Sequence, residues 1–353
     1  MPDAYFYLHH TRQEALADIL LEKLRAEGAG DPFSSSTVLV RNQGMATWLR
    51  QQFARRTGLA MQVEFPQPAH FRQSVLGDDS VGIEELKWNI YQELPRLPDG
   101  LSAQAIHHYL GDDPTGSDSA LKRYQLASHL AALYDKYLLY RPDWISAWNK
   151  DEAVTAAPHE RWQRDLWRRL GEILSIQHWT QALLKSGEID PSGDIPASLH
   201  VFGISNFAPI YVRFLYLLSQ RVPVHIYWMN PVDGYWGDGP TRREWILAKA
   251  FDDPEILMSH NPLLASFGRL GREFVHTLYG GNDGNHEVQE EEHGAEETDG
   301  DGDPESQLGL LQRHLHENLP MEADFRAGDG DGDGDGDGDG DGDGDGSITI
   351  HSC

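Results

Sequence analysis

The chain has 353 residues, room for two domains, and its 39% hydrophobic content with ten Trp suffices for large cores. Its formal net charge is −27, but Asp283 to Gly346 alone carries 23 acidic residues against two basic ones, which leaves 33 acids against 27 Lys and Arg elsewhere. The body is therefore only mildly acidic and a nucleic-acid surface is not excluded, whereas the single Cys353 excludes an intramolecular disulfide.

The N-terminus, MPDAYFYLHHTRQEA, has no basic region followed by an apolar one, so no signal peptide is expected. No apolar run reaches about 18 residues, so no membrane span is expected and a cytoplasmic protein is the default. Ala4 to Leu8 (AYFYL) reads as a short strand and His9-His10 as a turn. A helix follows over Arg12 to Ala26, with Thr11 and Glu14 spaced as in a capping box.

Thr37-Val-Leu-Val is β-branched and apolar, hence a buried strand. Arg41-Asn42-Gln43-Gly44 is a polar turn, and Met45 to Arg56 an amphipathic helix with Met45, Trp48, Leu49 and Phe53 on one side. Met61 to Phe65 gives a third strand, ended by Pro66 and Pro68. Strand, helix, strand, helix, strand opens a parallel α/β sheet.

From Phe71 to Lys185 the spacing predicts helices only, over 83–94, 103–110, 120–139 and 161–184, with Trp144, Trp148, Trp162, Trp167 and Trp179 as an aromatic core. Strands return at Leu199 to Ile204 and Val222 to Trp228 around a helix over Ile210 to Gln220, a second βαβ unit. Helices follow near Arg242–Phe251 and over Pro262 to Leu278. Asp283 to Pro304 is acidic and Gly-rich, so disorder is expected; Gln307 to Leu319 can form one short helix. Gly328 to Gly346 alternates Asp and Gly, the pattern of a flexible linker, and Ser347 to His351 alternates like a strand. A strand with nothing after it suggests the front part of a longer protein.

The expected partition is a first α/β part over 1–75, a helical insertion over 76–197, a second α/β part over 198–280, an acidic linker over 281–346 and a new strand over 347–353.

The motifs constrain chemistry mainly by what they lack. No G-x-x-x-x-G-K-[ST] occurs, and Leu8-His9-His10-Thr11-Arg12 stands where a P-loop belongs. Without glycines the amides cannot wrap a triphosphate, and no Lys reaches its phosphates, which argues against ATP hydrolysis by this chain. His9/His10 have no assignable third ligand for a metal. The Asp-Gly tract lacks the spacing and closing Glu of a calcium loop. Arg41-Asn42-Gln43-Gly44 reads either as an ordinary βα turn or as a contact to phosphate or base edges. Tyr134 to Trp144, with Lys136 and Arg141 among aromatics, reads either as core with a polar rim or as a stacking surface for bases.

Longer matches then accumulate: His9-x-x-Arg12, VLVRNQGMATWL at 38–49, FPQPAHF at 65–71, YDKYLLYRPDWISAW at 134–148, FGISNFAPIYV at 202–212, NPVDGYWGD at 230–238 and NPLLASFGRLGREF at 261–274. On these, the chain resembles the N-terminal part of the RecC family, the gamma subunit of exodeoxyribonuclease V. The resemblance implies a superfamily 1 helicase-like α/β fold with decayed ATPase motifs and an inserted all-helical subdomain. It implies a non-catalytic subunit working with a RecB-type helicase–nuclease and a RecD-type helicase, which use ATP and Mg²⁺. Such subunits split duplex DNA, bind the single strand and scan it for a Chi sequence. The scanning positions carried over are Arg41, Asn42, Gln43, Thr47, Gln67, Gln73, Leu133, Asp135, Lys136, Arg141 and Gln181. Leu133, Asp135 and Arg141 match the enteric pattern; Arg41, Gln43, Thr47, Gln67, Gln73, Ala132, Lys136 and Gln181 depart from it, so a different sequence, or weaker reading, is expected. The competing readings are an autonomous helicase, which the missing P-loop opposes, and an acidic-tailed interaction module or inactive fragment.

Overall fold

A computed structural model describes residues 5–28, 35–58, 62–77, 81–97, 104–111, 113–157, 159–174, 179–189, 191–280, 289–290 and 306–320. The chain begins with β1 (Tyr5–His10), α1 (Gln13–Gly28), β2 (Ser36–Val40), α2 (Gln43–Thr57) and β3 (Val63–Glu64). Helices α3 (Pro68–Leu76), α4 (Ile83–Glu93), α5 (Gln104–Leu110), α6 (Ser117–Tyr140), α7 (Pro142–Asn149), α8 (Glu160–Leu174) and α9 (Trp179–Ser186) come next. Then follow β4 (Leu199–Phe202), α10 (Pro209–Ser219), β5 (Val224–Met229), α11 (Arg242–Phe251), α12 (Pro254–Ser259), α13 (Pro262–Phe267), α14 (Arg269–Gly280), β6 (Gln289–Glu290) and α15 (Gln307–His316). The α/β class with a parallel sheet and many helices is as expected. No helix among the described residues is long and apolar enough to cross a membrane.

Two compact units form. One takes its described residues from Met1–Pro68, Pro196–Phe207 and Val222–Cys353, the other from Ala69–Ile195 and Ala208–Arg221. The expected partition assigned 198–280 entirely to the sheet. Contacts instead place α10 with the helices, because its apolar face is turned to α6.

In the sheet unit the strand order is β3-β2-β4-β5-β1-β6, every neighbouring pair parallel. Val38 and Val40 of β2, Phe202 of β4, Tyr227 of β5 and Leu8 of β1 therefore share one face. Leu16 and Leu20 of α1 and Leu49 and Phe53 of α2 cover that face, all fully or nearly fully buried. Each such side chain contributes on the order of 1.5–3 kcal/mol. On the opposite face the Tyr7 hydroxyl donates to the Leu278 carbonyl (2.9 Å), and Trp228 meets Phe274 edge-on at 5.8 Å, so α14 lies there.

The expected helix over Pro262 to Leu278 is broken. A side chain at Gly268 would meet the Trp236 ring at 2.8 Å, and one at Gly271 would meet it at 3.0 Å. The indole seats itself on the break between α13 and α14 and donates to Asn230 Oδ1 (2.9 Å). Of the expected helix over 161–184, α8 and α9 are described, and 175–178 lie outside the described residues.

The expected linker over 281–346 contains an anchored element. Buried Asn261 donates from its side-chain amide to the Leu319 carbonyl (3.0 Å), and its N–H donates to Asn318 Oδ1 (3.0 Å). The Asp233 N–H donates to the His316 carbonyl (2.8 Å). These bonds tie the end of α15 to the sheet unit, which corrects the linker reading for 306–320. Of the expected disordered stretch at 283–304, only Gln289–Glu290 is described, and it adds a short strand to β1. The Asp-Gly tract and the strand expected at 347–351 lie outside the described residues.

In the helical unit Leu86 and Ile90 of α4, Ile106 of α5, Tyr134 of α6, Trp148 of α7 and Trp167 of α8 form one core. The aromatic rings pack at angles: Tyr134–Trp148 is T-shaped at 6.5 Å and Tyr134–Trp167 is tilted at 5.4 Å.

Candidate nucleic-acid interface

Strand β2 connects outward to β3, whereas its neighbour β4 connects the other way to β5. Their carboxyl ends therefore form a topological switch point, the position at which open α/β sheets hold ligands. Arg41 and Asn42 leave β2 at this point, and Gly203 leaves β4. Asn42 is first of all the N-cap of α2: its backbone is extended and its Oδ1 accepts from the Met45 N–H (3.0 Å). The Thr47 hydroxyl donates to the Gln43 carbonyl (3.0 Å). Arg41, Gln43 and Thr47 are exposed. The Pro66 carbonyl accepts from the Val40 N–H (3.1 Å), which brings the exposed Gln67 beside the end of β2. The sheet unit thus gathers Arg41, Asn42, Gln43, Thr47 and Gln67 at one edge.

Gly203 shapes the other lip. Its φ of 64° is left-handed, its N–H donates to the Tyr227 carbonyl (2.9 Å), and a Cβ there would lie 3.2 Å from Met45 Cε. The β4 loop consequently rests against the start of α2.

At the end of β1, where a phosphate-wrapping loop would begin, His10 Nδ1 accepts from the Arg12 N–H (2.9 Å). Burial and then the Arg12 charge hold the His10 imidazole below its ordinary pKa. The side chain of the loop thereby occupies a backbone donor that an anion would otherwise take.

The other six residues belong to the helical unit, where their roles differ. Leu133 packs against the core. Gln181 is spent internally: its amide donates to the Pro142 carbonyl (2.9 Å) and its Oε1 accepts from the Ser146 hydroxyl (2.6 Å). Gln73 is half-buried on α3. Lys136 and Arg141 are exposed, and the Arg141 guanidinium lies 5.7 Å above the Trp144 ring. Asp135 is half-buried, and that burial raises its carboxyl pKa. Tyr211 is raised by burial, countered by its hydrogen bond from Arg72 and raised further by Asp135. Arg72 itself lies 5.2 Å over Trp179. Trp144 thus lies beneath Arg141, and Asp135 is near enough to Tyr211 to raise its pKa.

Sequence reasoning missed three clusters of charged and polar side chains. His200 of β4 and His225 of β5 are register partners, stacked at 5.1 Å, with His225 also stacked on Phe6 at 4.6 Å. Glu27, at the end of α1, lies 3.0 Å from His200 Nε2 and 3.8 Å from His225 Nε2, and accepts from the Ser198 hydroxyl (2.6 Å). Burial pushes the Glu27 carboxyl up, but the bonds from His200 and Ser198 outweigh it and hold it at about 2. Burial, then His200 and Lys23, push His225 down to about 3. The second positions of LHVF and VHIYW were the available signal, but their pairing required the strand order. Among the described residues no group of three such side chains is placed to hold a metal ion. The other two clusters are in the helical unit. Glu93 is gripped by Arg169 (2.7 and 3.0 Å) and Arg96 (2.7 Å). Glu160 accepts from Trp148 Nε1 (3.0 Å), the Val154 and Thr155 N–H groups and the Thr155 hydroxyl (2.6 Å each).

Comparison with known proteins places the chain. The family described as RecC, N-terminal domain, matches residues 6–318. The RecBCD enzyme subunit RecC of Escherichia coli K12 is 30% identical over 75% of this chain, which covers 27% of that relative. The RecBCD enzyme subunit RecC of Haemophilus influenzae is 26% identical over 82% of this chain and 31% of the relative. That of Mycobacterium tuberculosis H37Rv is 26% identical over 90% and 30%. The chain thus spans less than a third of the length of these relatives. It belongs to the RecC family.

Proposed function

We propose that this chain is the amino-terminal part of a non-catalytic DNA-binding subunit of an exodeoxyribonuclease V-type helicase–nuclease. It acts in the cytoplasm in double-strand break repair by homologous recombination, with RecB-type and RecD-type partners that supply ATP and Mg²⁺ chemistry. The observation that carries this reading is the gathering of Arg41, Gln43, Thr47 and Gln67 at the carboxyl edge of the sheet in a member of the RecC family.

The chemistry fits single-stranded DNA. Exposed Arg41 supplies a phosphate or guanine contact, and the carboxamides of Gln43 and Gln67 suit adenine edges. In the helical unit Arg141 stacked on Trp144 offers a flat cationic surface for bases, while the carboxylate of Asp135 can accept from a cytosine amino group. Gln181 acts by position, since its bonds hold α7 against α9. The sheet reads as a superfamily 1 helicase-like fold that has lost its motor: the sequence has no P-loop, and His10 closes over its own turn. The sequence scanned differs from the enteric Chi octamer, since most scanning positions carry other residues.

The test is co-expression with RecB-type and RecD-type chains from the same source, followed by ultraviolet cross-linking to single-stranded DNA. Expected are a stable three-chain complex and cross-links within 41–67 and 135–144. A chain that joins no complex and cross-links nowhere sinks the proposal. Recombination assays with the enteric octamer test the finer point: a full response refutes a changed sequence.

A further inference from the structure

The distribution of charge along the chain is uneven around the proposed contacts at the sheet edge. In a protein with 56 acidic residues, Pro32 to Val63 contains none, yet holds Arg41, Arg50, Arg55 and Arg56. Ala46, Leu49 and Phe53 bury one face of α2. Thr47, Arg50, Gln51 and Arg55 are exposed on the other side. Thr47, Gln51 and Arg55 are four residues apart and so form one stripe, with Arg50 beside it.

The arginines of this helix are not equivalent. Arg56 is taken by an ion pair with Asp18. Arg50 lies 4.9 Å over the Phe65 ring, which fixes its guanidinium without neutralising it. Among the described residues neither Arg50 nor Arg55 makes an ion pair. Cations near a helix C-terminus ordinarily complement the helix dipole, which accounts for Arg55 and Arg56. That does not account for Arg50 in the middle of the helix, nor for the absence of any acid along it. The overall negative charge does not cancel the face, because at physiological salt charges beyond about 8 Å are screened.

We propose that the exposed face of α2, through Arg50 and Arg55, holds the sugar–phosphate backbone of the single strand whose bases meet the Arg41–Gln43 turn. The inference rests on the DNA-binding reading above and extends it from the turn along the helix. From Gln43 to Arg55 the helix rises about 18 Å, long enough to lie beside several phosphates. The contact is to phosphate alone and is therefore blind to sequence.

The experiment measures binding of labelled oligodeoxythymidine and of a mixed-sequence oligonucleotide to the full chain over a salt series. Each lost phosphate contact on a single strand lowers the slope of log affinity against log salt by about 0.7. R50Q/R55Q is expected to flatten the slope by about 1.4 equally on both oligonucleotides, while R50K/R55K retains it. An unchanged slope in R50Q/R55Q, with R41Q still weakened, overturns the α2 contact and leaves the edge reading standing. A slope that also flattens in R50K/R55K overturns it too, because charge is then not the cause. Absence of binding by the unaltered chain overturns both readings.

Discussion

The sheet unit and the helical unit hold carboxylates in opposite ways, Glu27 at the surface and Glu93 and Glu160 buried. Glu27 of the sheet unit lies against two imidazoles, His200 and His225. Glu93 and Glu160 of the helical unit are held by guanidinium groups and by N–H and hydroxyl donors. Imidazole changes charge near neutrality, whereas guanidinium and amide donors do not. One unit is therefore built around a cluster that responds to mild acid, the other around clusters that resist it. The chemistry of the partner groups sets the pH range over which each cluster loses its contribution.

The largest test of this contrast lies in the helical core. Trp148 is fully buried and donates to Glu160. Trp148→Ala is expected to cost about 4 kcal/mol in denaturant unfolding followed in that unit. A loss below about 1 kcal/mol would mean that the aromatic core does not hold it together.

The next effect is pH. His225 falls from 6.5 to about 3 in the fold, so the unfolded chain binds its proton first, and the stability it contributes is lost as pH drops below 6.5. His10 and His260, also in the sheet unit, are lowered mainly by burial and act in the same direction. Glu160 is pushed up by burial but brought down to about 2 by its hydrogen bonds, so its contribution is lost only below 4.5. Asp135, raised by burial, works in the reverse sense. Hydrogen exchange between pH 6.5 and 4.5 should show amides of β1, β4 and β5 losing protection before those of α6 to α8. The opposite order would break the comparison.

Two smaller changes probe the proposed binding edge. Gly203→Ala forces a side chain into a left-handed residue 3.2 Å from Met45 Cε and should cost about 2 kcal/mol. Asn42→Ala removes the cap of α2 and should cost about 1 kcal/mol, with Asn42→Asp close to neutral. A thermal melt of each variant measures both. If Asn42→Ala leaves stability unchanged but abolishes DNA binding, the residue is a contact and not a cap.

Much of this was legible in the sequence because it is local. The β2–turn–α2 stretch announces itself through apolar run, polar turn and helical spacing, and four of the proposed scanning residues, Arg41, Asn42, Gln43 and Thr47, lie on it. The strand order was not legible. Nothing in the spacing of β1 and β2 says that β4 and β5 lie between them, since pairing is decided by segments far apart in sequence. The same non-locality hid Glu27 and His200, 173 residues apart, and Arg169 with Glu93, 76 apart. Gln181 was placed among contacts by the family resemblance alone, while its own partners, Ser146 and Pro142, appear only in the fold. The split at Gly268 was missed because apolar periodicity continues across it; only the Trp236 ring explains it.

The interleaving of β4 and β5 between β1 and β2 has a consequence for synthesis. When β1 and β2 leave the ribosome, the strands that join them do not yet exist. Between Val40 and Leu199 translation continues for on the order of ten seconds. Nearly all of the helical unit is made in that interval from one continuous stretch, and its contacts can close while the first two strands still wait with bare edges. The nascent chain is thus most exposed to aggregation before Met229 emerges. A ribosome stall placed just after α9 should leave a protease-resistant helical core and a cleavable amino-terminal segment.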